Sequence, residues 1–170
     1  MIAYLRGEVR NVTPGSMVLD VRGVGYLVHL PPNMQDSFQR DQTISLHIAT
    51  IVREDAITLY GFGDTSQREL FDLLRGVKGV GPRLALAILG HLAPGQLVTA
   101  ITQEDLTTLV AVPGVGRKTA GRLCLELKNK IPAHFTVADG VGASAPKPSD
   151  QLPLALAQLG YRKSEIDLVL

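Results

Sequence analysis

The segment Val77–Leu89 reads VKGVGPRLALAIL, and Val112–Cys124 reads VPGVGRKTAGRLC. An offset of 35 residues places Val77, Gly79, Val80, Gly81 and Ala85 on Val112, Gly114, Val115, Gly116 and Ala120. Arg83 falls on Lys118, Glu69 on Glu104 and Leu74 on Leu109. A helical apolar period runs on both sides of each Gly-Val-Gly, so two helices must meet across a very short elbow, and must do so twice. Glycine opens backbone angles closed to other residues and lets another backbone come close. The central valine is placed to plug the gap between the helices. The second helix of each pair starts at once, with its first N–H groups unpaired and the positive end of its dipole facing outward. Such an end is a phosphate site. Arg83, Arg117 and Lys118 fall in that first turn and Arg122 one turn later, where they can pair with neighbouring phosphates. The candidate nucleic-acid contacts are therefore Gly79, Val80, Gly81, Arg83, Gly114, Val115, Gly116, Arg117, Lys118 and Arg122. A single elbow is equally well read as an ordinary turn in a helical bundle; duplication with a basic residue at the matched position favours phosphate. Phosphate contacts carry no base information, so binding is expected to follow shape rather than sequence.

Charge placement agrees with this. The 170 residues carry a net charge of +1, so the chain is no generic polycation. Residues 64–131 hold nine Lys/Arg against six Asp/Glu, whereas residues 1–63 and 132–170 are each slightly acidic. No apolar run approaches the roughly 20 residues that span a bilayer, and the N-terminus lacks the layout of a secretory signal. A cytoplasmic location is expected. The lone Cys124 excludes an intrachain disulfide and a multi-cysteine metal or iron–sulfur site.

The first sixty-odd residues read as strands. Ile44, Leu46 and Ile48 alternate with polar neighbours, as do Met17, Leu19 and Val21, and Tyr26, Val28 and Leu30. The Gly-Val-Gly at Gly23–Gly25 lies between two such patterns and reads as a hairpin turn. IVREDAITLYGF places two apolar flanks around a charged tip, Arg53-Glu54-Asp55. About five short strands fit a small OB-like barrel. From Ser66 the period becomes helical, and Thr102 with Asp105 resembles a helix-starting cap. Pro132 is expected to end the last helix. The stretch to Ser149 is rich in Ala, Gly, Pro and Ser, and reads as a flexible linker that contains the fourth Gly-Val-Gly, at Gly140–Gly142. The tail reads as one amphipathic helix and the start of another. The expected class is α+β: a five-stranded OB-like barrel over 1–63, a tandem helix-hairpin-helix domain over 64–131, a linker over 132–149 and a partial helical segment over 150–170.

GVGPRLALAIL and PGVGRKTAGRL resemble the tandem hairpins of the RuvA family, the junction-binding subunits of bacterial branch-migration machines. MIAYLRGEV, DVRGVGYLVHLP, REDAITLYGF and RELFDLL are similar to that family's barrel and the entry to its helical domain. The resemblance covers residues 1–131 closely and the tail more loosely. It implies a non-catalytic subunit that binds four-way (Holliday) DNA junctions in recombination and repair, as a homotetramer or as two tetramers on one junction. It implies a RuvB motor as partner, the RuvC resolvase as a further one, and no cofactor or metal. It also implies an acidic pin at the junction centre, matched here by Glu54 and Asp55; from sequence alone such a pair is an ordinary solvated turn. LPLALAQLGYRKSEIDLVL looks like the first helix and part of the second of the family's motor-binding unit, so weak motor binding is expected of this chain.

An enzyme reading stands beside it. VPGVGRKTA also resembles the hairpin of base-excision DNA glycosylases, with Lys118 matching the lyase lysine. The helix that follows offers Glu126 but no aspartate, and Asp139 lies beyond Pro132. A third reading is an interaction protein whose hairpins are scaffold alone. His29, His47, His91 and His134 are scattered without ligand spacing, and no P-loop pattern is present. Cys124, between Leu123 and Leu125, is expected to be a buried structural thiol.

Overall fold

Strict alternation builds the first half of the molecule. In the computed structural model, which describes residues 1–136, five strands form a closed barrel: β1 (Tyr4–Thr13), β2 (Ser16–Val21), β3 (Val24–His29), β4 (Thr43–Val52) and β5 (Ile57–Phe62). Their order is β1-β2-β3-β5-β4, and β4 closes on β1. All pairs are antiparallel except β3 with β5. The register brings apolar partners together: Val9 faces Leu19, Met17 faces Val28, Val28 lies beside Leu59, and Leu5 faces Leu46. These side chains fill the barrel with Leu30, Ile44 and Ile48. Each contributes roughly 1.5–3 kcal/mol by leaving water. Gly61 is required by this filling, since a Cβ there would stand 2.6 Å from Val28 Cγ1.

The first Gly-Val-Gly is a hairpin turn, as expected, but its two central residues are Arg22 and Gly23. Their φ angles of 53° and 88° make a type I′ turn. The Gly23 N–H donates to Asp20 Oδ1 at 2.7 Å. Gly25 belongs to β3, opposite Asp20.

Among the described residues six helices follow: α1 (Thr65–Arg75), α2 (Pro82–His91), α3 (Pro94–Thr102), α4 (Leu106–Val110), α5 (Arg117–Leu127) and α6 (Ala133–Thr136). The outer face of β4 and β5 joins the barrel to them. Ala49, Tyr60 and Phe62 are buried in the helical core, and the Phe71 ring lies 5.2 Å from Tyr60 and 4.9 Å from Phe62. Gly90 on α2 packs so tightly on Pro32 that a Cβ would stand 2.3 Å from its Cδ. Barrel and helices thus make one unit, Met1–Thr136.

Two expectations change in detail. Thr102 does not cap a helix: it ends α3, and its hydroxyl donates back to the Val98 carbonyl at 2.9 Å. Asp105 itself caps α4, accepting from the Thr107 and Thr108 N–H groups at 3.0 and 3.1 Å. The stretch read as linker is also folded at its start. Phe135, on α6, is buried in the helical core, and His134 Nε2 lies 3.1 Å from Glu69 Oε2. The rest of that linker, the fourth Gly-Val-Gly and the C-terminal helical segment lie outside the described residues. Among the described residues no single helix is long and apolar enough to cross a membrane.

Candidate nucleic-acid interface

The two elbows have the same backbone. Gly79 and Gly114 take φ of 93° and 90°, and Gly81 and Gly116 cap the next helices at φ −85°, ψ 172° and φ −89°, ψ 168°. Val80 N–H donates to the Val77 carbonyl and Val115 N–H to the Val112 carbonyl, each at 3.0 Å. The first helical bonds are Ala85 to Gly81 and Ala120 to Gly116, each at 2.9 Å. The sequence repeat is therefore also a structural repeat, with matching glycine dihedrals and hydrogen bonds at the two elbows.

Val80 and Val115 are each 5% exposed, and their N–H groups are already used. They hold the elbow's shape, and their N–H groups are spent within it. The outward donors are the N–H groups that precede the first helical bond. At the second elbow these belong to Gly116, Arg117, Lys118 and Thr119. At the first, Pro82 removes one and leaves Gly81, Arg83 and Leu84. No side chain caps either helix. A Cβ on Gly81 or Gly116 would meet nothing within 4 Å, so both elbows open directly to solvent.

The cations are sorted by their partners. Arg68 and Arg75 pair with Asp72, and Lys128 pairs with Glu104 at 2.6 Å. That lysine holds the Glu104 carboxyl below its ordinary range. Asp64 and Asp105 are occupied as helix caps; hydrogen bonds from Thr108, hydroxyl first and N–H second, hold the Asp105 carboxyl low. The Arg83, Arg117 and Lys118 side chains are exposed and have no acidic or hydrogen-bonding partner among the described residues, as is also true of the Lys78 ammonium group. Asp64, Glu69, Asp72, Glu104 and Asp105 are engaged elsewhere as caps or ion-pair partners, which leaves the elbow cations without acidic partners. Arg122 also has a role inside the fold. Its Nη1 donates to the Lys78 carbonyl at 3.2 Å, so α5 is tied to the first elbow. Leu84 of α2 in turn lies under Gly114, its Cδ1 3.1 Å from where a Cβ would stand. Each elbow is braced by the other's helix.

Glu54 and Asp55 sit at the exposed tip of the β4–β5 hairpin, which is closed by the Arg53 N–H donating to the Ala56 carbonyl at 2.8 Å. The sequence did not reveal what lies between this tip and the first elbow. A cleft of about 500 Å³ is lined by His29, Ile51, Arg53, Thr58, Tyr60, Gly81, Pro82, Arg83 and Leu86. Its signal was present as strand parity, since Ile51 and Arg53 share one face of β4 and its continuation, and Thr58 and Tyr60 share one face of β5. Nothing in the residues said that α2 would dock against that face.

Comparison with known proteins agrees with this architecture. Residues 1–61 match the family model described as RuvA N terminal domain, and residues 71–129 match that described as SAM-like Helix-hairpin-helix tandem. A protein of Pelobacter propionicus is 44% identical over 174 residues, covering all of this chain and 88% of its own length. One of Trichlorobacter lovleyi is 44% identical with the same coverage, and one of Renibacterium salmoninarum is 40% identical over 97% of this chain and 77% of its own. Each of the three is named Holliday junction branch migration complex subunit RuvA. Identity at this level along the barrel, both elbows and the stretch beyond them means that the chain belongs to the RuvA family.

Proposed function

We propose that this protein binds four-way DNA junctions by their phosphate backbones, without reading sequence, as the non-catalytic DNA-holding subunit of a branch-migration complex. The observation that carries the reading is the pair of elbows with matching dihedrals, open amides and unopposed cations. Each can take a phosphate at a helix N-terminus, and two braced copies fix the direction of a duplex between them. The elbows supply charge-assisted hydrogen bonds to phosphate. The relatives' names favour this reading over a glycosylase.

In the same reading the barrel, residues 1–63, presents the Glu54–Asp55 tip at the crossover, and residues 64–131 grip the arms. Copies of the chain surround the junction as a tetramer, and an ATP-driven motor supplies the work through the C-terminal region. The setting is the bacterial cytoplasm, where such DNA is found. The test is competition: a labelled four-way junction is titrated with protein while unlabelled linear duplex of the same sequence competes. The junction is expected to win by at least tenfold. Equal binding to both, or none to either, would contradict the proposal.

A further inference from the structure

The chain leaves the helical core by a path fastened at more points than a plain tether needs. Lys128 is the C-cap of α5, and its Nζ lies 2.6 Å from Glu104 Oε1. In the turn beyond, the Lys130 and Ile131 N–H groups donate to the Leu127 carbonyl at 2.8 and 3.0 Å, and the Ile131 side chain packs against the core. After Pro132 the chain enters α6, which packs on α3; the Phe135 N–H donates to the Pro132 carbonyl at 3.0 Å, and the Phe135 ring, 6% exposed, is buried in the core. His134, its ring 4.4 Å from that of Phe135, meets Glu69 of α1. Both ion pairs are exposed, so each alone is weak; the buried ring holds α6 and the pairs orient it. The two carboxylates, Glu69 and Glu104, are the ones related by the 35-residue offset. Both copies of the repeat therefore use that position to fasten the exit of the chain.

We infer that residues 128–136 are an anchor strap: they tie the exit of the chain to α1 and α3, so that a pull arriving through the C-terminal region is taken by the helical core and kept off α5. The inference rests on the proposed role of the C-terminal region in passing on motor work, and adds where that work enters the DNA-holding unit. The need for a strap lies in α5. Its N-terminus is the second elbow, and its last residue, Leu127, stands about 16 Å away at the helical rise of 1.5 Å per residue. A stiff rod with the elbow at one end and the tether at the other would carry every pull straight to the grip on DNA. Arg122 would pass the same pull to the first elbow through the Lys78 carbonyl. The turn beyond Leu127 and the docked α6 interrupt that path. Phe135 belongs to the same core as Phe71 of α1 and Leu97 and Ile101 of α3, and a close-packed interior spreads a force and yields little to it. A helix of four residues has no stability of its own, so α6 holds its shape only while docked, and its docking is what the strap consists of.

The test pulls on the full chain by a handle fixed at Leu170 while the protein holds a surface-tethered four-way junction. It compares bound lifetimes with and without a steady load for wild type, Phe135→Leu, Phe135→Val and Phe135→Ala, and hydrogen exchange of each free protein reports docking over residues 128–136. Phe135→Ala is expected to lose that protection, to keep the unloaded lifetime within about twofold of wild type, and to leave the loaded junction at least about fivefold sooner, since loss under force follows a barrier that the buried ring raises. Phe135→Leu and Phe135→Val are expected to fall between, in order of side-chain size. A purely structural role would show without load. If Phe135→Ala lowers the melting temperature so far that the unit unfolds, Phe135→Val is read in its place against the same outcomes. A variant that has lost protection yet matches wild type under load shows that the strap takes no force, and one that weakens unloaded binding as much as loaded binding shows that α6 shapes the elbows instead; either overturns the inference and leaves junction binding standing. If wild type does not hold the unloaded junction, the functional reading falls and this inference with it.

Discussion

The four elbow glycines divide into two kinds. Gly79 and Gly114 have φ near 90°, where any other residue is strained, and the space at Gly114 is further limited by Leu84. Gly79→Ala and Gly114→Ala should each destabilise the fold by about 1–2 kcal/mol, measured by urea unfolding. Gly81 and Gly116 have φ of −85° and −89° with open space where a Cβ would go. The fold does not need glycine there. Gly81→Ala and Gly116→Ala should leave stability unchanged or raise it by about 0.4–1 kcal/mol through the unfolded chain, while weakening junction binding at least several-fold. A glycine whose loss leaves the fold intact and harms binding is there for a ligand's approach. If both alanine variants bound like wild type, that role would be refuted. Arg122 carries the opposite lesson. Its sequence position offers its guanidinium to phosphate, and Nη1 also donates to the Lys78 carbonyl, tying α5 to the first elbow. Position along a helix gave the turn it lies in, and only the packing of one elbow on the other decided the partner.

Elements show the same split between local and non-local information. The strands were legible because alternation needs only neighbours, and the elbows because a repeated pattern is stronger than either copy. Caps were partly legible: Asp105 was singled out, but as the partner of Thr102 rather than as the cap itself. Its carboxyl titrates below the ordinary range when folded, so its contribution is present above about pH 4, the ordinary carboxylate value, and is lost as pH falls through the lowered folded value. Asp105→Ala should therefore lower the melting temperature at pH 7, and the difference from wild type should shrink toward pH 2–3; a deficit independent of pH would rule out the capping carboxylate as its source. The β4–β5 hairpin makes a separate prediction. Glu54 and Asp55 are exposed and belong to no ion pair or cap among the described residues. Glu54→Gln with Asp55→Asn should leave melting unchanged and junction binding equal or tighter, since two charges that repel phosphate are removed. Strand separation in a motor-driven branch-migration assay should change. Migration at the wild-type rate would refute the pin role. The short α6 escaped the sequence reading because four residues carry no period; Phe135 buries it in the core and His134 meets Glu69, and a lone aromatic in an Ala/Gly/Pro-rich stretch is no signal of helix.

At the scale of the whole unit, the barrel and the helices are joined by a shared core, and the join is what composition and periodicity could not supply. Phe71 of α1 meets Tyr60 and Phe62 of β5, and Pro32 meets Gly90, which lies far along the chain. These contacts set the first elbow against the barrel and so create the cleft that contains Arg53 and Tyr60. Net charge was equally uninformative at this scale. The excess of positive charge over 64–131 is small, yet the elbow cations stand without acidic partners because most carboxylates there serve as caps or ion-pair partners. The most direct measurement of the central claim is the salt dependence of affinity for two four-way junctions of unrelated sequence. Phosphate gripping by paired elbows predicts steep, linear and parallel falls of log K with log salt for the two junctions, and a shallower fall when Arg117 and Lys118 are both changed to Gln. A flat salt response, or a strong preference for one sequence over the other, would contradict it.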